Sequence, residues 1–546
     1  MGNVSFNMTT VAKKFAETLQ ELGIRYVFGV PSGSWTDYME ALRATDGVEF
    51  VLVSNEASAG FMADVCWRLT GTPAACFGTF GPGACNLATG VGCAFLDRSA
   101  ILAFTDEMSD VMLSRVTQMN IDHQTLFRPI TKWTTRLKHD SVKKTLYQAM
   151  QIATSEVPGP VHIGLPSGMS AFEATDEEVK CKPAKASPPP DTASLDKMKK
   201  FFFEARKPVL ALGITSMRTA IRPLVLKVAE KYQVPVVLTP MAKGMVPEDH
   251  PSYAGVLAHA LANQVGETHQ QADLVVGIGY DPIEINYEDW IPNVPLLNIN
   301  TVPADLDRGK YTLACDVVGD VKCALEQLAN LGDDKKKDWD MDKLSQRRKK
   351  MFEDLRPDPG SFGPRAVLSY LREIFPEDGI MTCDVGAHLH LIGQAWHTPA
   401  PELQLMTNGW SSMGFGIPSA IAAKLCLPDR SVACVVGDGG FLMMVGEMAT
   451  AMRLGTKVVF VVVTDRNLSL IRLKQQRKGY ERYGTMLYND DYVSARNFFG
   501  VPVFEARTAD EYRTVLEDAF TVNSPVIVEA FVDTKDYDEL ILKGNK

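Results

Sequence analysis

Residues 435–467, VVGDGGFLMMVGEMATAMRLGTKVVFVVVTDRN, read as a strand, a glycine turn, a helix and a second strand. Acidic residues end both strands: Asp438 and Asp465, 27 positions apart. A βαβ unit of about thirty residues sets such tips side by side at the carboxyl edge of a parallel sheet. Open α/β sheets bind their ligands at that edge. Two oxygen donors beside a helix N-terminus suit a hard divalent cation and a diphosphate.

The rest of the chain repeats this alternation. Apolar runs such as YVFGVP, FVLVS, AACFGT and AILAFTD, then PVLALGI, VPVVLT, LVVGIG and PLLNIN, then GIMTCDVG, ELQLMTN and PVIVEAFVD are spaced by amphipathic segments. Unbroken apolar runs ending in Gly or Asp predict parallel strands covered on both faces. Two linker-like stretches divide them. Residues 181–194, CKPAKASPPPDTAS, are rich in Pro, Ser and Lys; residues 333–355 are dense in charge and predict an exposed helical connector. The expected architecture is α/β, with three doubly wound parallel-sheet domains over 1–180, 195–332 and 356–546.

Composition excludes several classes. Among 546 residues, 46% are hydrophobic and 22% charged, as in soluble globular proteins. A net charge of −10 argues against nucleic acid or an anionic membrane as partner. There is no apolar run of the roughly 20 residues that cross a bilayer, and the N-terminus lacks signal-peptide features. Ten scattered cysteines without a CxxC pair fit a reducing cytoplasm.

Four further segments carry candidate chemistry. Glu56 follows the strand FVLVS and opens an alanine-rich helix. NGWSSMGFGIPSAIAAKL, 408–425, is a glycine-softened helix start with Pro418 in its first turn. CDVGAHLHLIGQ, 383–394, follows a strand in the same block. The loops VFGVPSG, 27–33, and GTFGPGACN, 78–86, let backbone approach a ligand closely.

Taken together these segments resemble thiamine diphosphate-dependent enzymes, and most closely the acetolactate synthase (acetohydroxyacid synthase) branch. GDG followed by an acidic or amide pair is similar to that family's metal and diphosphate signature. SSMGFGIPSAIAA resembles its GTMGFGLPAAIGA segment, and RPITKW, 128–133, its RPVTKW. The resemblance spans nearly the whole chain and implies thiamine diphosphate and Mg²⁺ as cofactors. It makes Asp438 and Asp465 metal ligands, with Asn467 a third through its backbone carbonyl. Gly386, Ala387, His388, Gly439 and Gly440 would line the diphosphate. Met413 would wedge the cofactor into its bent form, with Ser411 beside the aminopyrimidine. Glu56 would be the catalytic carboxyl group that promotes loss of the thiazolium C2 proton.

The same resemblance implies 2-oxo acid substrates and a homodimer or homotetramer with active sites between subunits. Phe80 stands where the family has a small residue and narrows the acyl pocket; Gln118, His123 and Gln124 are further substrate-side candidates. YDPIE, 280–284, is similar to flavin-free catabolic acetolactate synthases, whereas GVLAHALAN, 255–263, resembles a flavin-contacting loop, so FAD is open but disfavoured. The expected reaction joins the acyl unit of a decarboxylated 2-oxo acid to a second 2-oxo acid. The alternative is a simple decarboxylase releasing an aldehyde; the paired histidines of pyruvate decarboxylases are absent here. RLKQQRKGYERYG, 472–484, is expected to roof the pocket, with Arg472, Lys474, Arg477 and Lys478 placed to hold an acceptor carboxylate or to form a solvated charged face.

Overall fold

The computed structural model describes residues 9–176, 179, 186–284, 294–332, 335–488 and 494–541. Three sheets follow one another along the chain. The first comprises β1 (Tyr26–Gly29), β2 (Glu49–Leu52), β3 (Ala75–Gly78), β4 (Leu102–Glu107), β5 (Trp133–Arg136) and β6 (Val161–Pro166), in the order β2-β1-β3-β4-β6-β5. The second holds β7 (Pro208–Leu212), β8 (Val236–Leu238), β9 (Tyr253–Val256), β10 (Leu274–Ile278), β11 (Leu296–Asn300) and β12 (Leu313–Val318), ordered β12-β11-β10-β7-β8-β9. The third contains β13 (Ile380–Cys383), β14 (Gln404–Leu405), β15 (Val432–Gly437), β16 (Val458–Thr464), β17 (Asn497–Phe498), β18 (Val501–Ala506) and β19 (Val526–Phe531), ordered β14-β13-β15-β16-β19-β18-β17.

Every pairing in these sheets is parallel except β17 with β18. Those two form a hairpin whose turn residues, Phe499 and Gly500, both have positive φ, the geometry that matches strand twist. The three parallel α/β sheets are those expected from the apolar runs.

The elements form for local reasons. Thr10 caps the helix Val11–Glu21 by accepting from the Lys13 N–H, and Gly23 turns the chain at its far end with φ +76°. The charged connector does contain a helix, Met341–Asp354, capped by Asp340. It is not wholly exposed: Leu344 and Met351, two turns apart, are buried. A seven-residue spacing places both on one face, so the polar surround conceals an apolar stripe.

The chain gathers into two compact units. One comprises 1–185 with 421–428 and 446–454; the other comprises 186–420, 429–445 and 455–546. Among the described residues no helix is long and apolar enough to cross a membrane.

Candidate functional site

In the first unit, the helix Glu56–Thr70 begins four residues after the end of β2. Asn55 is its N-cap, its side chain accepting from the Ala57 N–H at 2.9 Å. Glu56 is buried, and its Oε2 accepts from Asn86 Nδ2 at 3.0 Å. Asn86 lies on the helix Pro82–Leu96. The two helices approach closely because Gly60 meets Gly90: a Cβ at position 90 would lie 2.4 Å from the Ala57 carbonyl oxygen. Gly83 likewise leaves space around the other carboxylate oxygen, where a Cβ would stand 3.1 Å from Glu56 Oε1.

A second carboxyl group holds the turn before Glu56. Glu447, fully buried, accepts from the N–H groups of Ser54 at 3.0 Å and Asn55 at 3.2 Å, and burial raises its pKa. Ser54 Oγ also donates to the Gly446 carbonyl at 2.8 Å. Sequence reading missed Glu447. Its only signal was an acid in the first turn of the helix Glu447–Leu454.

The glycine loops meet at Asp106. Its carboxylate accepts from Ser32 Oγ at 2.5 Å and Thr79 Oγ1 at 3.2 Å, and burial lifts its pKa to about 6. Phe80 sits half-buried on the following turn. Of the substrate-side candidates, Gln118 is exposed, and His123 is buried with Nε2 accepting the Gly81 N–H at 3.3 Å. Gln124 is turned inward, its amide bonded to Glu107, Thr134 and the Thr135 carbonyl. Those bonds use the amide for packing the domain.

In the second unit, Asp438 and Asp465 stand at the tips of neighbouring strands β15 and β16. Asp438 Oδ2 accepts from the Arg466 N–H at 2.7 Å, joining the two tips directly, and its Oδ1 accepts from Gly439 at 2.9 Å. Burial, and then the Asp465 charge, lifts Asp438 to a pKa of about 7. Burial raises Asp465 as well. The pair is therefore short of positive charge, which a divalent cation would supply. Asn467 Nδ2 donates to the Asp465 carbonyl at 2.8 Å, leaving its buried Oδ1 without a partner. That side-chain oxygen lies beside the backbone carbonyl expected as the third ligand.

Asp384, at the end of β13, organises the surrounding glycines. Its carboxylate accepts from Gly414 N at 2.8 Å, Phe415 N at 3.1 Å and Val385 N at 2.8 Å. A Cβ at Gly440 would fall 1.7 Å from Asp384 Oδ2, so only glycine fits there. Gly439 faces Met413, whose Cε would lie 3.1 Å from an added Cβ. Ser411 precedes it at φ +51°, a strained left-handed conformation. Gly386 and Ala387 begin the helix Ala387–Ala395. His388 is buried against Gly437, with Nε2 unpartnered and its pKa lowered to about 4 by burial. Sequence reading missed Asp384, because its partners are backbone N–H groups thirty residues away.

In the basic segment Lys474 and Lys478 are exposed, whereas Arg472 and Arg477 are engaged. Arg472 pairs with Asp538 at 3.1 Å, and Arg477 donates to the Ile541 carbonyl at 2.8 Å.

In the middle sheet strand order reverses between β7 and β10, the place where nucleotides bind in such sheets. Glu284 fills it. Its carboxyl group accepts from Ile214 N at 2.7 Å and Met241 N at 3.3 Å, and burial lifts its pKa to about 8.

The chain matches the thiamine pyrophosphate (thiamine diphosphate) enzyme family in three segments: the N-terminal TPP binding domain over 9–126, the central domain over 195–328 and the C-terminal TPP binding domain over 384–530. The chain belongs to the thiamine pyrophosphate enzymes, in their acetolactate synthase-like branch. This enzyme is 28% identical to a probable acetolactate synthase large subunit of Methanocaldococcus jannaschii, over 98% of the chain and 94% of the relative. It is equally 28% identical to an acetolactate synthase of Bacillus subtilis, over 96% and 93%, and to the acetolactate synthase isozyme 1 large subunit of Escherichia coli, over 96% and 94%. The cofactor fits the residues present. The unpartnered Asn467 Oδ1 and His388 Nε2 and the charge-poor Asp438–Asp465 pair are atoms that a metal and a diphosphate would satisfy.

Proposed function

We propose that this enzyme is a Mg²⁺-dependent carboligase. It decarboxylates pyruvate or a related 2-oxo acid and joins the acyl unit to a second 2-oxo acid. Relatives named acetolactate synthase, matched over 93–94% of their length, support this reading. The observation that carries it is Glu56: a buried carboxyl group anchored by Asn86 on one oxygen, with glycine-lined space at the other. When bound, thiamine diphosphate supplies a carbon nucleophile and an electron sink.

The protein's share of the work is then assigned as follows. Asp438, Asp465 and Asn467 hold Mg²⁺. Gly386, Ala387, His388, Gly439 and Gly440 receive the diphosphate. Ser411 and Met413 orient the aminopyrimidine and thiazolium, and Glu56 holds the proton at the pyrimidine N1′. Phe80 bounds the acyl pocket. Residues 1–180, 195–332 and 356–546 form the pyrimidine-binding, central and diphosphate-binding blocks of a cytoplasmic homodimer or homotetramer, with each active site shared between subunits. FAD stays open but disfavoured in this reading, since Glu284 accepts from the Ile214 and Met241 N–H groups at the central switch point.

The test is turnover of the purified chain with thiamine diphosphate, Mg²⁺ and a panel of 2-oxo acids. Carbon dioxide release with a 2-hydroxy-3-oxo acid product supports ligation. Release with free aldehyde assigns the simpler decarboxylase, and no release refutes both.

A further inference from the structure

A hydrogen-bond chain crosses the adjacent strands β4, β6 and β5 beneath the Phe80 turn, and each of its protons can be placed. At one end the Gly81 N–H can only donate, so His123 Nε2 must accept it. Burial keeps His123 neutral, with a pKa lowered to about 4, so its proton lies on Nδ1. That nitrogen is 2.9 Å from Thr105 Oγ1.

The other end is fixed independently. Gln124 Nε2 faces two pure acceptors, Glu107 Oε1 at 2.5 Å and the Thr135 carbonyl at 3.1 Å. Its Oε1 therefore accepts from Thr134 Oγ1 at 2.8 Å. With its one proton used, Thr134 must accept from His162 Nδ1 at 2.7 Å. His162, also kept neutral by burial, then presents a bare Nε2 to Thr105 Oγ1 at 2.8 Å. The two assignments meet at Thr105 without conflict: it donates to His162 and accepts from His123. Phe127, stacked on His162 at 4.2 Å, fixes that ring, and Arg136 pairs with Glu107 to close the far end.

Glu107, His123 and His162 lie close enough together to suggest a metal site, but the hydrogen bonds already engage both nitrogens of each ring. Nor is the chain a proton wire, because the Gln124 amide does not relay protons.

We propose that the chain is a tautomer lock. It holds His123 as the Nδ1–H form, the one neutral form whose Nε2 can accept the Gly81 N–H, and makes His123 the positioning residue of the Phe80–Gly83 turn. That turn carries Phe80 at one end and the Glu56-facing Gly83 at the other, so His123 sets the shape of the acyl pocket. Only this last consequence rests on the carboligase reading.

The experiment uses the full chain labelled with [¹⁵N]histidine. Long-range ¹H–¹⁵N spectra, assigned by the signals lost in H123Q and H162Q, should place the proton on Nδ1 of both rings. T134V removes the hydroxyl that joins His162 to Gln124, whereas T134S keeps it. T134V should mix the His123 tautomers and quicken deuterium exchange at the Gly81–Gly83 amides. It should also raise KM for the 2-oxo acid about tenfold with little change in kcat, as expected for one lost buried hydrogen bond; T134S should restore all three. An Nε2–H signal on either ring, or unchanged exchange at Gly81 in T134V, overturns the proposal. A wild-type protein without turnover refutes the carboligase reading instead, while the spectra and exchange still decide the lock.

Discussion

Replacing Asp438 with Asn tests the metal site through its electrostatics. In the free protein burial and Asp465 hold the Asp438 carboxyl near a pKa of 7, against 3.8 for the unperturbed group. A pKa raised on folding favours the folded state at low pH, and that contribution is lost as pH rises through the folded value. At 1.36 kcal/mol per pH unit, the ionised group costs the metal-free fold about 4 kcal/mol once pH exceeds 7. About 2.6 kcal/mol of that cost is incurred between pH 5 and pH 8, which for a block of this size corresponds to a fall in Tm of roughly 5–10 °C. Asp106, Asp384 and Glu284 are raised in the same direction. The informative quantity is therefore the difference between wild type and D438N, measured by thermal melts in chelator across that range. D438N should show the shallower decline. Mg²⁺ with thiamine diphosphate should raise the wild-type Tm far more at pH 8 than at pH 5.5, and D438N should lose most of that gain. Parallel pH profiles for the two proteins would refute the argument that these carboxylates face each other awaiting a cation.

Glu56→Gln should slow hydrogen–deuterium exchange at C2 of bound thiamine diphosphate at least 100-fold while calorimetry still detects cofactor binding. Gly440→Ala, which drives a methyl group into Asp384, should cost about 1–3 kcal/mol by denaturant unfolding and abolish cofactor affinity; D384N should share the second defect. Phe80→Ala should shift the kcat/KM ratio toward a 2-oxo acid longer by one methylene by about tenfold.

Most strands that could be read from the sequence are buried along their length, the edge strand β2, read from FVLVS, being an exception. β16, VVFVVVT, has no polar interruption until its tip. The overlooked ones lie mostly at sheet edges: β5 (WTTR), β9, β12 and β17 each terminate a sheet. An edge strand is covered less and tolerates polar residues, so its periodicity fades. The internal β6 was hidden by His162, a polar residue whose burial is explained only by Thr105 and Thr134 on neighbouring strands. The site divides in the same way. Asp438 and Asp465 are legible because each ends a strand of one βαβ unit, whereas Glu56 is legible only through the resemblance to the family. Asp384 and Glu447 are not, because each binds backbone amides supplied by distant parts of the chain.

Residues 446–454 pack with the first unit although they lie between Asp438 and Asp465 in sequence. With 421–428, they bring Glu447 to Ser54, Arg453 to the Leu52 carbonyl and Leu425 to the Tyr26 hydroxyl. The cofactor signature is thus interrupted by a loan of chain to another part of the molecule. A gene fragment ending near residue 180 would encode the first sheet without these pieces, leaving the turn before Glu56 unanchored. Such halves should regain order only when co-expressed with the remainder, and shuffling the blocks between relatives would have to move these two short insertions together with the N-terminal partner they serve.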